Sequence, residues 1–171
     1  MQIKYSMGTM EELDEIYELF VAAIKEMDRL QIPQWDEIYP DRAQLAKDLS
    51  AKELYVGKIE DKIGVVYVLN NEMDEQYING EWKYQEDQFV ILHRVCVHPN
   101  YQNCGVGAAT LTHIHEQMRL NRIRAIRLDA FSQNPYALKM YKRAGYEKVG
   151  NADLRKGQFY LMEKLLTSDL S

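Results

Sequence analysis

Two closely spaced glycines, Gly105 and Gly107, form the first feature of this sequence that could bind a ligand. They follow an apolar strand pattern at 91–97 and open a helical pattern near Val106. A loop that enters a helix in this way leaves backbone N–H groups unpaired at the positive end of the helix dipole. Because glycine has no side chain, an anion such as pyrophosphate can approach the backbone closely. The pattern therefore predicts a phosphate site, with an ordinary strand-to-helix turn as the alternative.

A second stretch whose residues could take part in a reaction lies between positions 131 and 146. Asn134 is a good helix N-cap, Pro135 a good first helical residue and Gly145 a natural residue to end a helix. The short helix that they bound carries Tyr141, whose hydroxyl can donate a proton. A tyrosine at this position fits either a catalytic acid or a packed core residue.

The elements that position these residues follow from the hydrophobic pattern of the chain. Period-2 patterns predict strands at 2–6, 53–60, 63–70, 89–97, 124–130 and 157–165. Helical patterns predict helices after a capping box at Thr9 and Glu12, at 41–49, at 106–121 and after Asn134. Residues 31–41 and 71–87 are expected to be loops, and residues after Leu166 to fray. The order β-α-α-β-β-β-α-β-α-β predicts an α+β (α/β layered) fold in which helices flank a mixed, mostly antiparallel central sheet.

The composition fits one domain over residues 1–171, with 46% hydrophobic and 27% charged residues. Without a long apolar run or a signal sequence, the protein is expected to be cytoplasmic and to have no membrane partner. Its net charge of −5 argues against a nucleic-acid partner. Cys96 and Cys104 match no zinc motif, and His113 and His115 do not share a helix face, so no metal is expected.

With both stretches in hand, the sequence resembles the GNAT superfamily, the acetyl-CoA-dependent N-acetyltransferases. The family's acyl-CoA motif, Q/R-x-x-G-x-G/A after a strand, stands here at residues 102–107. The family's next motif stands here as Asn134, Tyr141 and the pair Gly145-Tyr146. The final strand FYLMEK and the opening IKYSMGTMEELDEIYELF are also similar to the family, so the resemblance spans nearly the whole chain.

Other phosphate-binding motifs fit this loop less well. A dinucleotide fingerprint would need a third glycine at the position of Thr110 and a strand nearer the N-terminus. A P-loop would need Gly-Lys-Ser/Thr where Ala108 and Ala109 stand.

The resemblance implies acetyl-CoA as the cosubstrate. It implies that these residues bind it: Val95, Val97, Gln102, Asn103, Cys104, Gly105, Val106, Gly107, Ala108, Asn134 and Tyr141. In the family, the strand before the loop pairs through its backbone with the pantetheine arm. The N–H of Val97 would then lie near the acetyl carbonyl, where it is placed to stabilise a developing oxyanion.

The resemblance also implies catalytic roles for Tyr141 and His93. Tyr141 matches the family's usual general acid, which protonates the leaving CoA thiolate. Many family members have a Glu as general base on the strand before the loop, and His93 stands at the matching place here. An unperturbed histidine pKa near ~6.5 suits that role. Glu72 or a chain of waters is the alternative base, and His98, His113 and His115 are expected in a loop and on a helix surface.

The loops at 31–41 and 71–87 border the acyl site in this family. The resemblance therefore implies that the acceptor pocket contains Trp35, Tyr39, Tyr77 and Trp82. These rings could hold a cation or an apolar acceptor, and for Trp35 and Tyr39 a role as core plugs is the alternative. The expected reaction is acetyl transfer to a primary amine of a small molecule or peptide, by direct attack and without an acyl-cysteine. A homodimer is compatible with the resemblance, and a non-catalytic acyl-CoA-binding or sensor module is the alternative function.

Overall fold

The computed structural model describes residues 1–167, and this range contains seven strands and four α-helices. The strands are β1 (Lys4–Met7), β2 (Leu54–Ile59), β3 (Lys62–Asn70), β4 (Phe89–Val97), β5 (Ala125–Phe131), β6 (Glu147–Leu154) and β7 (Gly157–Leu165). The helices are α1 (Leu13–Arg29), α2 (Arg42–Ser50), α3 (Val106–Leu120) and α4 (Pro135–Arg143). The fraying expected after Leu166 concerns mainly residues 168–171, which lie outside the described residues.

The strands form one mixed sheet in the order β1-β2-β3-β4-β5-β7-β6. The pairs β1–β2, β2–β3, β5–β7 and β6–β7 are antiparallel, and β4 runs parallel to β5. The β2–β3 hairpin turns at Glu60 and Asp61, whose φ angles of 50° and 66° match the twist of the paired strands. The predicted mixed α+β fold is therefore confirmed.

The first of two compact units consists of Met1–Leu69 and His93–Gly107. In its core, Ile16 and Phe20 from the apolar stripe of α1 pack against the inward-facing strand residues Val56, Val66 and Val68. The predicted helix starts are present: the Glu12 carboxylate accepts from the N–H of Thr9 at 2.9 Å, and the Asp41 carboxylate accepts from the N–H of Gln44 at 2.8 Å. These contacts satisfy backbone donors that a helix start leaves open.

The second unit consists of Asn70–Leu92 and the chain from Ala108 onward. Strands β5 and β7 pair in register over seven residues, from Ala125 opposite Leu165 to Phe131 opposite Phe159. The sequence patterns do not predict β6, which is the edge strand beyond β7. Only one of its eight residues, Ala152, is buried, so it lacks the alternation of apolar and polar residues that marks a half-buried strand.

The connection from β3 to β4 is more ordered than the loop predicted at 71–87. Residues Glu75–Asn79 form a 3-10 turn, and Tyr77 within it is buried beside Leu161. Further along, the N–H of Glu81 donates to the Val149 carbonyl of β6 at 2.8 Å. Val149 lies where the register of β6 shifts, so the connection satisfies a backbone group at an irregular sheet edge.

Candidate functional site

The glycine loop leaves β4 in the first unit with its path fixed by two hydrogen bonds. The N–H of His98 donates to the Gly64 carbonyl at 2.8 Å, which extends the pairing of β3 with β4. The side-chain Nε2 of Gln102 donates back to the Val97 carbonyl at 3.3 Å. Gln102 therefore braces the loop against the end of β4.

Gly105 has the backbone conformation and the surroundings of a site for close approach. Its φ of +81° lies in the left-handed region, and a Cβ at this position would meet no atom within 4 Å. The next residue, Val106, starts α3, and its side chain is 2% exposed in a cluster with Ile59 and Val65. First-turn N–H groups have no partner within their own helix, so a firmly anchored helix start beside open backbone fits a pyrophosphate.

The residues implied to bind acetyl-CoA divide between the two compact units. Those in the first unit are Val95, Val97, Gln102, Asn103, Cys104, Gly105, Val106 and Gly107. Ala108, Asn134 and Tyr141 belong to the second unit. The Asn134 side chain accepts from the N–H of Ala137 at 3.1 Å, which confirms it as the N-cap of α4. Their contacts with the cosubstrate stay predictions.

Tyr141 is a buried residue of α4 whose surroundings keep its hydroxyl protonated. Its side chain is 8% exposed and meets the Tyr146 ring edge to face, with centroids 5.6 Å apart. Burial, and then the negative charge of Asp129, raises the pKa of Tyr141 above its ordinary value. The hydroxyl is therefore protonated at neutral pH and is able to donate.

His115 corrects the expectation that the histidines of α3 lie on the helix surface. Its side chain is 6% exposed, and its Nε2 lies 2.9 Å from the hydroxyl of Tyr146. Burial, together with the positive charges of Lys164 and Arg119, lowers the pKa of His115 to about 4. His115 is therefore a neutral structural partner of Tyr146, whereas His113 is only half-buried and His98 lies in the loop after β4.

His93 is half-buried in β4, and its predicted role as a base stays a prediction. The residue beside it was missed by the sequence reasoning. The guanidinium of Arg94 forms a buried ion pair with Asp48 of α2. The signal for this pair is a charged residue inside an apolar pattern, since Asp48 lies among the inward-facing Leu45 and Leu49 and Arg94 lies within an apolar strand.

The four aromatic residues assigned to the acceptor pocket have different surroundings. Trp35 is 9% exposed, and its ring lies 5.3 Å from that of Phe20, so it serves the core whether or not it meets a substrate. Tyr39 is partly exposed and accepts a hydrogen bond from Arg94. Tyr77 is buried, and Trp82 is half-buried with its Nε1 donating to the Tyr77 carbonyl at 2.8 Å. Their contacts with an acceptor stay predictions.

Three charged residues of β5 and β7, also missed by the sequence reasoning, hold the β3–β4 connection in the second unit. Asp129 accepts from the Tyr77 hydroxyl at 2.6 Å. Glu163 accepts from the N–H groups of Lys83 at 2.9 Å and Tyr84 at 3.2 Å. Arg127 donates to the Tyr84 carbonyl at 2.7 Å, and a charge inside the strand pattern RAIRLDA was the available signal.

The two thiols differ in their capacity for chemistry. Burial raises the pKa of the Cys96 thiol, which keeps it protonated and weakly nucleophilic, while Cys104 is exposed in the glycine loop. Within residues 1–167, no group of three His, Cys, Asp or Glu side chains is placed to hold a metal ion. Across the same residues, no helix combines the length and the apolar character needed to cross a membrane.

Comparison with known proteins finds relatives and solved structures that are similar to this chain. An S-(2-succino)cysteine N-acetyltransferase from Bacillus subtilis (strain 168) is 22% identical over 175 residues, covering 99% of this chain and all of that protein. A GNAT-family acetyltransferase structure from Streptococcus agalactiae 2603 superposes with a TM-score of 0.86 at 19% identity, over 95% of each chain. The PaiA N-acetyltransferase of Thermoplasma acidophilum, solved in complex with coenzyme A, has a TM-score of 0.71 at 16% identity, over 96% of this chain and 99% of that one.

The low identities of the solved structures show the shared fold, and the family assignment has its own support. The model of the acetyltransferase (GNAT) family matches residues 15–146, which include both the glycine loop and α4. The chain therefore belongs to the acetyltransferase (GNAT) family, and this membership supports an acyl-CoA-dependent N-acetyltransferase.

Proposed function

We propose that this enzyme transfers an acetyl group from acetyl-CoA to a primary amine of a small molecule or peptide, by direct attack in a ternary complex. The observation that carries the proposal is the open glycine backbone at Gly105, directly before the anchored start of α3, in a chain of this family. Acetyl-CoA supplies the acetyl group as an activated thioester.

The glycine loop and strand β4 provide the proposed binding surface for the pyrophosphate and the pantetheine arm. Backbone N–H groups from Cys104 to Ala108 hold the pyrophosphate, and the brace from Gln102 keeps the loop in the conformation that presents them. The backbone of β4 at Val95 and Val97 binds the pantetheine arm. The N–H of Val97 stabilises the negative charge that develops on the acetyl oxygen.

Tyr141 is the proposed general acid. Its pKa is raised by burial and by Asp129, so it carries its proton at neutral pH. A protonated hydroxyl in a buried setting can donate to the departing CoA sulfur, and loss of that donor slows the chemical step.

His93 is the proposed base, acting on the acceptor ammonium directly or through water. It takes the place of the Glu found in many relatives of the family. The substitution also favours the alternative that the protein is a non-catalytic acyl-CoA-binding or sensor module. Glu72 is exposed at the start of the β3–β4 connection and is the other candidate base.

A direct transfer is favoured over an acyl-cysteine route by the state of the thiols. The Cys96 sulfur is buried and its pKa is raised by that burial, so little of the thiolate that would attack an acyl group is present. Cys104 lies in the loop that is proposed to hold the pyrophosphate, where its backbone N–H is the functional group.

The acceptor is proposed to be a primary amine of a small molecule or peptide, and its identity is open to a screen. One relative acetylates S-(2-succino)cysteine, a modified amino acid, so amino acids of this kind belong in the first set of compounds to screen. Trp35, Tyr39, Tyr77 and Trp82 are the proposed acceptor-facing residues. A cytoplasmic location and a homodimer belong to the same proposal.

A thiol-release assay with acetyl-CoA and a panel of primary amines tests the function. We expect turnover with at least one amine, and a drop in kcat of about 10²-fold or more for Tyr141→Phe with CoA affinity retained. Tyr136→Phe is the matched control, since Tyr136 is an exposed tyrosine on the same helix.

Calorimetry with CoA separates the alternatives. Gly107→Trp should remain folded and lose CoA binding, because a bulky side chain in the proposed phosphate loop would hold the pyrophosphate off the backbone. Full CoA affinity in that variant would refute the loop assignment. CoA binding by the wild-type protein without turnover on any amine would instead support the binding-module alternative.

A further inference from the structure

Arg94 is the most unusual residue of strand β4. Its φ of +50° is a left-handed backbone conformation that a non-glycine side chain disfavours in the middle of a strand. Its side chain is only 7% exposed, and that of its ion-pair partner Asp48 is 5% exposed. Removing two charges from water is costly, and a buried ion pair by itself is weak evidence for stability. Stability alone therefore does not explain this buried pair, which indicates a role beyond holding α2 against the sheet.

The guanidinium of Arg94 joins two different segments of the first unit. Its Nε donates to Asp48 Oδ2 at 2.9 Å and its Nη2 to Asp48 Oδ1 at 2.8 Å, which is the parallel two-bond geometry of a strong pair. Gln44 donates to the same carboxylate at 3.0 Å and helps to orient it. The remaining nitrogen, Nη1, donates to the hydroxyl of Tyr39, and the guanidinium carbon lies 5.8 Å from the centre of the Tyr39 ring.

Tyr39 closes a tight turn over residues 36–39, here called the tip turn. The Asp36 N–H donates to the Tyr39 carbonyl at 3.1 Å, and the Tyr39 N–H donates to the Asp36 carbonyl at 3.2 Å. Asp36 Oδ1 also accepts from the N–H of Ile38 at 3.0 Å. Trp35 fixes one end of the turn in the core, and Arg94 fixes the other end at Tyr39.

The tip turn presents apolar surface while its backbone is held at both ends. Ile38 is 63% exposed and Tyr39 is 37% exposed. An isoleucine and a tyrosine ring on a pre-organised turn can contact a ligand without first ordering a loop, which saves the entropy cost of binding. The ion pair of Arg94 and Asp48 fixes the position of that apolar surface, while its own side chains are almost inaccessible to solvent.

We propose that Arg94 and Asp48 are positioning residues that hold the tip turn in the arrangement that recognises the amine acceptor. The inference rests on the proposed function, which assigns Tyr39 to the acceptor pocket. Neither Arg94 nor Asp48 needs to touch the acetyl group. Their loss should therefore change the KM for the acceptor more than kcat, and should leave CoA affinity unchanged.

Steady-state kinetics with three variants tests this assignment. Tyr39→Phe removes only the hydroxyl that Arg94 holds. The double variant Arg94→Met with Asp48→Leu removes the tether without leaving a buried unpaired charge. Arg94→Lys keeps the positive charge and loses the two-bond geometry. We expect Tyr39→Phe and the double variant to raise the acceptor KM about five- to tenfold, with kcat within about twofold of wild type and an unchanged CoA affinity by calorimetry.

Matched controls lie in the same unit. Arg42→Gln with Asp14→Asn removes an exposed ion pair between α1 and α2. Tyr55→Phe removes the hydroxyl of a tyrosine whose ring stacks on Tyr67. Both should leave the acceptor KM at the wild-type value, and Arg94→Lys should fall between wild type and the double variant.

The outcomes separate this inference from the proposed function. An unchanged acceptor KM in Tyr39→Phe, or a loss of CoA affinity that parallels the rise in KM, would overturn the inference while wild-type turnover upholds the enzyme. Tyr39→Phe tests the tether even if the double variant fails to fold. Absence of wild-type turnover with every amine would overturn both.

Discussion

Two connections carry the four predicted acceptor-facing aromatics, and a strand arginine holds each of them. The two arginines are themselves held by different kinds of interaction. In the first unit, Arg94 reaches the segment 31–41 while fully engaged with a carboxylate, Asp48. In the second unit, Arg127 contacts the rings of Trp82, in the β3–β4 connection, and Phe89, at the start of β4. The guanidinium carbon of Arg127 lies 4.6 Å from the centre of the Trp82 ring and 4.0 Å from that of Phe89.

The pKa directions of the two arginines express the same difference. Burial alone would lower the pKa of Arg94, but Tyr39 and Asp48 together raise it above its ordinary value. Burial lowers the pKa of Arg127, and the opposing influence of Glu163 and Tyr77 does not restore it. Both side chains stay charged, since arginine is not deprotonated in proteins. The first arginine is thus held as half of an ion pair, and the second mainly as a flat group between rings.

Replacing each arginine by methionine should therefore have unequal effects. Arg94→Met leaves the Asp48 carboxylate buried without its partner, which should cost about 3–5 kcal/mol in the free energy of unfolding. Arg127→Met keeps volume between the rings and loses one hydrogen bond to a carbonyl and the cation–π contacts, which should cost about 1–3 kcal/mol. Urea denaturation of both variants measures the difference.

The double variant Arg94→Met with Asp48→Leu decides whether the unpaired charge is the cause. It should recover most of the stability lost in Arg94→Met, because it removes the buried carboxylate as well. A double variant no more stable than Arg94→Met would show that the unpaired carboxylate is not the main cost of losing Arg94.

Much of the fold was predictable because its signals are local. The capping residues Thr9, Asp41 and Asn134 and the helix stop at Gly145 act on the next few residues of the chain, and all four mark real helix ends. Strand β6 was not predictable in the same way. Its partner β7 is the buried strand, and an exposed edge strand needs no apolar alternation of its own.

The candidate site was predictable where it uses backbone and not where it uses paired side chains. The conformation at Gly105 follows from the residue type, so a loop motif is enough to find it. The pair of Arg94 and Asp48 spans 46 positions in sequence, and nothing local says which carboxylate a buried arginine will meet. His115 was misplaced for the same reason, since its partner Tyr146 lies 31 positions further along the chain.

His115, in the second unit, should make the stability of the protein depend on pH. Its folded-state pKa of about 4 lies below the ordinary value of 6.5, so the unfolded chain binds more protons between these two pH values. The free energy of unfolding should therefore fall as the pH drops from 6.5 to 4, by up to about 3 kcal/mol from this group.

Melting temperatures across this pH window measure the effect. In His115→Gln, which keeps a hydrogen-bonding partner for Tyr146 and does not titrate, the drop should be visibly smaller than in wild type. Gln117→Asn, which changes an exposed residue of the same helix that does not titrate, is the control and should follow the wild-type curve. Equal slopes in wild type and His115→Gln would mean that His115 is not the neutral buried group described above.

The smallest expected effects come from two tyrosines of the β3–β4 connection whose hydroxyls differ in one respect. The Tyr77 hydroxyl donates to Asp129 at 2.6 Å. The Tyr84 hydroxyl is buried and, among residues 1–167, has no hydrogen-bond partner. Tyr77→Phe should therefore destabilise the protein by about 1–2 kcal/mol, since it removes a bond to a charged acceptor, and Tyr84→Phe should be neutral or slightly stabilising.

Urea midpoints of the two variants, measured side by side, give the sign of each effect. The two substitutions remove the same atom from the same segment, so their difference isolates the hydrogen bond from the change in packing. If Tyr84→Phe destabilised the protein as much as Tyr77→Phe, the hydroxyl of Tyr84 would have a partner in solution. The connection would then be held by polar contacts at both tyrosines, and the contrast with the ion-paired segment 31–41 would weaken.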